Sequence, residues 1–347
     1  MDQSASVFAQ KDSALLVSFT PSLTASPVPF PTTGPPLVFV VAQSLVAADK
    51  HVTAPVCYNL RVVECTLAAL VLAKILRLNN PLPTDAAPLG ISLRGLHDAY
   101  FTQQQKQKQD RGKRSEASAE EFKRQCEELL QLVQDYLPQE EGYTREQISE
   151  LVGTPVAELE ERYMRKFPVK AERFLLRQRA THVFSETLRV QRAVKLFDRS
   201  GQNDSGADME PARAAAYKQK SGTQQEDKDV DHEDDDALHK ALGALLTETQ
   251  ASCRDDYDCS CPELDELCAI AAKAGSYGGR LTGAGWGGCS VHLVPEGKVD
   301  AVRAAWESEY YKKRWPKMSQ EELEDAVVVS RPGGGSCVYE VHAGEIE

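Results

Sequence analysis

Residues 280–295, RLTGAGWGGCSVHLVP, limit what this chain can fold into more than any other stretch. Four glycines fall in the six residues 283–288, with a tryptophan among them, and the chain then passes at once into the apolar run 290–294. Glycine lacks a Cβ, so Gly283, Gly285, Gly287 and Gly288 can take positive φ and let a ligand or another loop approach the backbone. A tight helix-to-strand turn accounts for the spacing equally well. Two phosphate-binding loops are excluded. The stretch lacks the Lys-Ser/Thr ending of a P-loop, and it does not open a helix as a dinucleotide-binding loop does. Trp286 either covers a ligand or plugs the core.

Around this stretch the hydrophobic periodicity predicts an α+β fold, with helices on one side of a mainly antiparallel sheet. Strands are expected at 14–19, 37–42, 289–294, 326–330 and 336–341. The run 37–42 is continuously apolar, as in a strand buried on both faces. Helices are expected at 59–76, 93–100, 120–136, 149–167, 172–196, 237–250, 262–274 and 298–315. In the first of these Leu60, Val63, Leu67 and Leu70 share a stripe, with Arg61 and Glu64 elsewhere on the wheel. A further helix starts near Thr144, where Thr-Arg-Glu-Gln has the capping-box pattern. Residues 21–36 are Pro-rich and read as a connector. Two polar insertions, about 101–118 and about 198–236, are expected to be disordered. The second ends in Asp-His-Glu-Asp-Asp-Asp and cannot bury enough apolar surface to offset its ordering entropy.

Composition narrows the function. Of 347 residues 41% are apolar, enough for a sizeable core, and the net charge is −12. Such a balance argues against a nucleic-acid or anionic-membrane surface, which demands clustered Lys and Arg. The longest apolar run, 67–76, is too short to span a bilayer and contains Lys74. Met1 is followed by Asp2 and Gln3 rather than by a basic and apolar leader. The nine cysteines are an odd number and scattered, which suits a cytoplasmic chain with reduced thiols. Cys253, Cys259, Cys261 and Cys268 do not have the spacing of a paired C-x-x-C knuckle, so no protein metal site is expected. Arg61 and Glu64, three apart, read as a local ion pair. His182 and His292 show no ligand spacing.

Five segments together resemble the galactokinases, within the galacto-, homoserine, mevalonate and phosphomevalonate (GHMP) kinase superfamily. LTGAGWGGCSVHLVP is similar to the family's third motif. MDQSAS is similar to the segment carrying its catalytic aspartate. TAPVCYNLRVVEC (53–65) resembles the fungal sugar-side segment, and RATHVFSETLRV (179–190) and ETQASCRDDYDCSCPELDEL (248–267) also match. The resemblance is closest to fungal members and covers nearly the whole chain except the two polar insertions.

The resemblance implies the two-lobed kinase fold with its site between the lobes. Residues 1–44 would be the tail of an incomplete N-terminal lobe, and 45–347 the C-terminal lobe. The implied reaction is transfer of the ATP γ-phosphoryl group to the anomeric hydroxyl of galactose, with Mg²⁺ accompanying the nucleotide. By position Asp2 would be the catalytic aspartate, orienting that hydroxyl and accepting its proton. Tyr58 would hydrogen-bond the sugar through its phenol. Gly283 and Gly285 would shape the sugar pocket, with Gly287 and Gly288 backing the phosphate loop. Read without the resemblance, Asp2 is a solvated terminal residue and Tyr58 an interfacial core tyrosine. The turn around Trp286, the first few residues and Tyr58 are expected to meet as one wall of the pocket. The family's first sugar motif and its Gly-Ser-rich phosphate loop are not among the 347 residues, so this chain alone is expected to be inactive. A second reading is a galactose- and ATP-binding sensor that engages a transcriptional repressor; a third is a remnant that binds no ligand.

Overall fold

The structure, a computed structural model, describes residues 2–20, 22–31, 33–47, 50–79, 81–107, 118–199 and 232–336. The expected α+β class holds. The main sheet is built on β3 (Leu37–Gln43), which pairs antiparallel with β5 (Cys289–Pro295) on one side and β6 (Val327–Ser330) on the other. β5 in turn pairs with β4 (Gly278–Thr282), giving the order β4-β5-β3-β6. Thus β3, expected to belong to a 1–44 unit, is a central strand among strands from residues 278 to 330. Its side chains alternate: Val38, Val40 and Ala42 are buried, while Leu37, Phe39 and Val41 are half-buried. The buried row packs on Leu267, Ile270, Val302 and Trp306. These come from two helices, 262–274 and 299–306, that lie against the sheet.

The chain before β3 forms a small hairpin of β1 (Ser13–Ser18) and β2 (Thr24–Pro29), preceded by the short helix α1 (Asp2–Phe8). β2 lies inside the segment expected to be a Pro-rich connector. Pro27 and Pro29 stand opposite Leu15 and Ser13, and a two-stranded ribbon has free edges where a missing N–H costs no ladder bond.

The second body of the fold is helical. After α2 (Lys50–Thr53) comes α3 (Tyr58–Ile75), whose run of Leu, Val and Ala is buried almost all round. Packed about it are α4 (Leu93–Gln107), α5 (Ala119–Tyr136), α6 (Arg145–Val152) and α8 (Leu176–Arg199), with Leu67, Leu96, Leu129, Ile148 and Phe174 at the centre. The Thr144 capping box forms with Gln147 as expected. Gly153, at φ 71°, then ends α6, so 149–167 is not one helix. A new start at α7 (Val156–Leu159) runs into a π-turn over Glu160–Met164. The expected disorder at 101–118 gives way to helix as far as Gln107. Polar side chains hold this last stretch: Gln104 donates to the Tyr100 hydroxyl, which donates to Glu128, and the Gln103 side chain accepts from the Asn79 N–H. Likewise α8 runs on to Arg199 and α9 (His232–Asp255) starts before the expected end of the second insertion. The rest of both insertions, 108–117 and 200–231, lies outside the described residues, as does the expected strand at 336–341 apart from Ser336, which is not in a strand.

Beyond α9 come α10 (Pro262–Ala274), α11 (Val299–Trp306), a π-turn over Glu307–Tyr311, α12 (Lys312–Arg314) and α13 (Gln320–Ala326). Pro262 occupies the first turn of α10, as predicted. Between α10 and β5 the sequence pattern missed β4. Its Gly278 and Gly279 are strand residues. A Cβ at Gly278 would strike the Gly243 backbone of α9, and one at Gly279 the His292 imidazole.

Candidate functional site

The glycine stretch is the turn of the β4–β5 hairpin. Positive φ runs through Gly283 (79°), Gly285 (83°), Trp286 (57°), Gly287 (136°) and Gly288 (75°). A tryptophan in the left-handed region is costly and persists only where neighbours over-determine it. Here two segments of the chain do so. The Trp286 N–H donates to the Cys259 carbonyl (2.7 Å), and the Gly288 N–H donates to the Val46 carbonyl (3.2 Å). The Gly288 carbonyl accepts from the Ser44 N–H (2.7 Å). The 43–46 segment is itself anchored: the Tyr310 hydroxyl donates to Ser44 O and the Tyr311 hydroxyl to Gln43 O, both at 2.7 Å.

This docking separates the four glycines into two kinds. A Cβ at Gly285 would collide with the Cys259 carbonyl, and one at Gly287 would sit 2.5 Å from the Val46 carbonyl. These two, expected beside sugar and nucleotide, are bare because the chain packs on itself there. Gly283 and Gly288 have nothing within 4 Å of an added Cβ and face open space. Within the turn, therefore, Gly283 and Gly288 have free space beyond the α-carbon, and Gly285 and Gly287 do not.

Tyr58 opens α3 and is half exposed, at 50%, so it is not a core tyrosine. One turn on, Arg61 and Glu64 form the expected local ion pair, Nη1 to Oε2 at 2.6 Å, and it is buried. Arg61 is 3% exposed and Glu64 1%. Glu64 also accepts from Arg179 Nε of α8 (2.7 Å) and from the Leu175 N–H (2.8 Å). Arg61 Nη2 reaches the Asp258 carboxylate at 2.5 Å and the Asp258 carbonyl at 3.3 Å. That carbonyl also accepts from Trp286 Nε1 (3.0 Å), and the Arg61 guanidinium lies 5.9 Å from the indole centroid. Arg179 donates in addition to the Asp256 carbonyl. Two arginines are thus balanced by Glu64 and Asp258, each burial offset by pairing. Sequence reasoning missed Arg179 and Asp258, although both sit in segments it quoted: Arg179 lies in the arginine-rich α8 and Asp258 in the loop after α9, and neither has a spacing that ties it to α3.

The structure therefore brings Tyr58's helix and the Trp286 turn together. Asp2 opens α1, whose neighbours are β1 and the 335–336 segment: Gly335 N–H donates to Ala9 O and Ser336 N–H to Ser6 O. Among the described residues no hydrogen bond joins α1 to the turn.

Burial governs several of the other candidates. Burial pushes the Cys65 thiol up to about 11 and the Cys268 thiol to about 12, so neither is a thiolate at neutral pH. Among the described residues no three His, Cys, Asp or Glu side chains converge to hold a metal ion. Burial pushes His182 down to about 4, where it stacks on Tyr257 and shares a hydrogen bond with Ser252. His292, fully buried, is pushed down to about 3.

Residues 236–313 match the family model described as GHMP kinases C terminal. The chain is 38% identical to the galactokinase of Saccharomyces cerevisiae, over 98% of this chain and 59% of that protein. It is 36% identical to that of Schizosaccharomyces pombe, over 98% and 60%, and 31% identical to that of Dictyostelium discoideum, over 97% and 58%. The chain thus spans roughly three-fifths of the length of these relatives. Among solved structures, Lactococcus lactis galactokinase complexed with galactose aligns with 96% of this chain and 54% of its own, at 19% identity and a TM-score of 0.47. Along nearly its whole length, then, this chain is similar to galactokinases, and residues 236–313 match the C-terminal family model of the GHMP kinases.

Proposed function

We infer that the chain supplies the sugar-side wall of a galactokinase, an enzyme that moves the ATP γ-phosphoryl group onto the anomeric hydroxyl of galactose. The observation that carries this reading is the joining of the two sugar-side segments, Tyr58's helix and the Trp286 turn, in a chain similar to galactokinases from end to end. The half-exposed Tyr58 phenol can donate to and accept from a sugar hydroxyl. Gly283 leaves room for the ring beside it. Asp2 takes the part of the base by position in the sequence. ATP is the phosphoryl donor in this reading, and Gly288, with open space beyond its α-carbon, takes the nucleotide side of the turn. Mg²⁺ enters this reading as the counter-ion of the nucleotide. The free thiols of the eight described cysteines fit a cytoplasmic setting. The relatives named above are galactokinases, and no observation favours the sensor reading with its repressor partner.

Titration calorimetry of the 347-residue chain with galactose, with and without ATP and Mg²⁺, tests this. Galactose is expected to bind with a Kd of about 1 mM or tighter, and glucose more weakly. Tyr58→Phe should weaken binding roughly tenfold, the cost of one hydrogen bond of about 1.4 kcal/mol. No heat and no thermal shift at saturating galactose would remove the sugar site from this chain.

A further inference from the structure

The geometry points to Arg61 as a positioning residue: its guanidinium holds the Trp286 indole, and with it the open Gly283 end of the turn, at a fixed place relative to Tyr58. The inference rests on the sugar-site reading of Tyr58 for its functional meaning, but its structural part stands without it.

Several observations converge on Arg61. It is fixed to its own helix by Glu64, which a second arginine and the Leu175 N–H hold in turn, so the guanidinium cannot follow a moving loop. Its Nη2 grips Asp258 twice, through carboxylate and carbonyl. The same Asp258 carbonyl accepts from Trp286 Nε1, so one oxygen is shared between the clamp and the indole. Asp258 itself sits at φ 50°, a left-handed conformation that needs support from its surroundings. The guanidinium also lies near the indole, within the range of a cation–π contact. Tyr58 lies three residues earlier on the same helix, one turn from the clamp.

A planar fork is required for this. Arg61 makes its bonds to Glu64 and Asp258 from two nitrogens of one rigid group; a lysine ammonium keeps the charge but cannot hold both in the same arrangement. The role differs from general stabilisation. Glu64 retains Arg179 and the Leu175 N–H if Arg61 becomes lysine, so the helical core keeps its buried pair. What is lost is the close hold on Asp258, which keeps only Arg179 Nη2 at 3.9 Å, and through it the hold on the turn.

The experiment compares wild type, Arg61→Lys and Asp258→Asn by amide hydrogen exchange and by galactose calorimetry. Asp258 exposes most of its side chain, and asparagine tolerates the left-handed region, so the second variant folds even if the first does not. Exchange at the Trp286 and Gly288 amides, measured without any ligand, should rise about tenfold or more in both variants, while protection in α3 and β5 stays as in wild type. Galactose Kd should rise by a similar factor. Unchanged exchange in the turn would overturn the positioning role, and so would exchange raised equally throughout the chain. If the turn loosens as expected but wild type itself does not bind galactose, the clamp stands and the sugar-site reading fails.

Discussion

At Gly285 the missing side chain leaves room for the Cys259 carbonyl; at Gly283 it leaves room for nothing within 4 Å. The two positions share a positive φ and differ only in what lies beyond the α-carbon. Alanine at Gly283 or Gly288 should therefore cost only the left-handed backbone penalty, about 1 kcal/mol. Alanine at Gly285 or Gly287 adds overpacking against a fixed carbonyl, for a total of about 2–4 kcal/mol. Urea denaturation of the four variants gives the order, and equal losses at all four would mean that the turn is not docked. The sequence showed that bare backbone was needed here. It could not show against what, because Val46 and Cys259 are brought to the turn by separate parts of the chain. The same limit applies to Arg61 and Glu64. A helical wheel puts charges on the solvent side by default, and their burial depends on Arg179 and Asp258, which no local pattern connects to them.

Elements whose apolar period is self-sufficient were legible: α3, α5, α10 and β5 lie within a residue or two of expectation. Those whose form depends on a neighbour were not. β4 is a strand because β5 pairs with it and α9 presses a glycine backbone against it, and β2 is one because β1 pairs with it. The close fit of β4 on β5 also creates a pH dependence. His292 on β5 is enclosed by Gly279, Ser290 and Trp306, and burial pushes it down to about 3. Its ring faces no acidic partner among these, so the folded state admits no proton where the unfolded chain, near 6.5, takes one up. The stability from neutral His292 is therefore complete above about pH 6.5 and is lost as pH falls toward 3, at up to about 1.4 kcal/mol per pH unit. His182, pushed down to about 4 by burial although Glu186 opposes the shift, adds to the same slope. Urea midpoints from pH 7 to pH 4.5 should fall more steeply for wild type than for His292→Gln, which keeps a polar contact for Ser290 and cannot titrate. Parallel slopes would place the acid sensitivity elsewhere.

On the scale of the whole molecule, two large cores and a small third one, around Cys259 and Leu281, share the described residues. The helical core is centred on α3 and the sheet core on β3, and they draw on different residues throughout. Besides the packing of α8 on α9, the Arg61–Glu64–Arg179–Asp258 group spans the space between them. Its two ends are α3 and α8 of one core and the 256–258 segment leading to α10 of the other. Glu64 is its centre, and Glu64→Ala leaves two buried guanidinium groups with one exposed aspartate between them. Removing one member of such a group costs about 3–5 kcal/mol. The three tryptophans, Trp286, Trp306 and Trp315, all lie on the sheet side, whereas most helix surrounds α3. Tryptophan fluorescence and far-UV circular dichroism thus weigh the two cores differently. In wild type the two urea curves should coincide, as in a single cooperative unit. In Glu64→Ala the dichroism curve should shift to lower urea and separate from the fluorescence curve, because the helical core loses the partner that ties its melting to the sheet. Curves that shift together would mean that α8 against α9 is sufficient to couple the halves, and that the buried charges serve the turn at Trp286 alone.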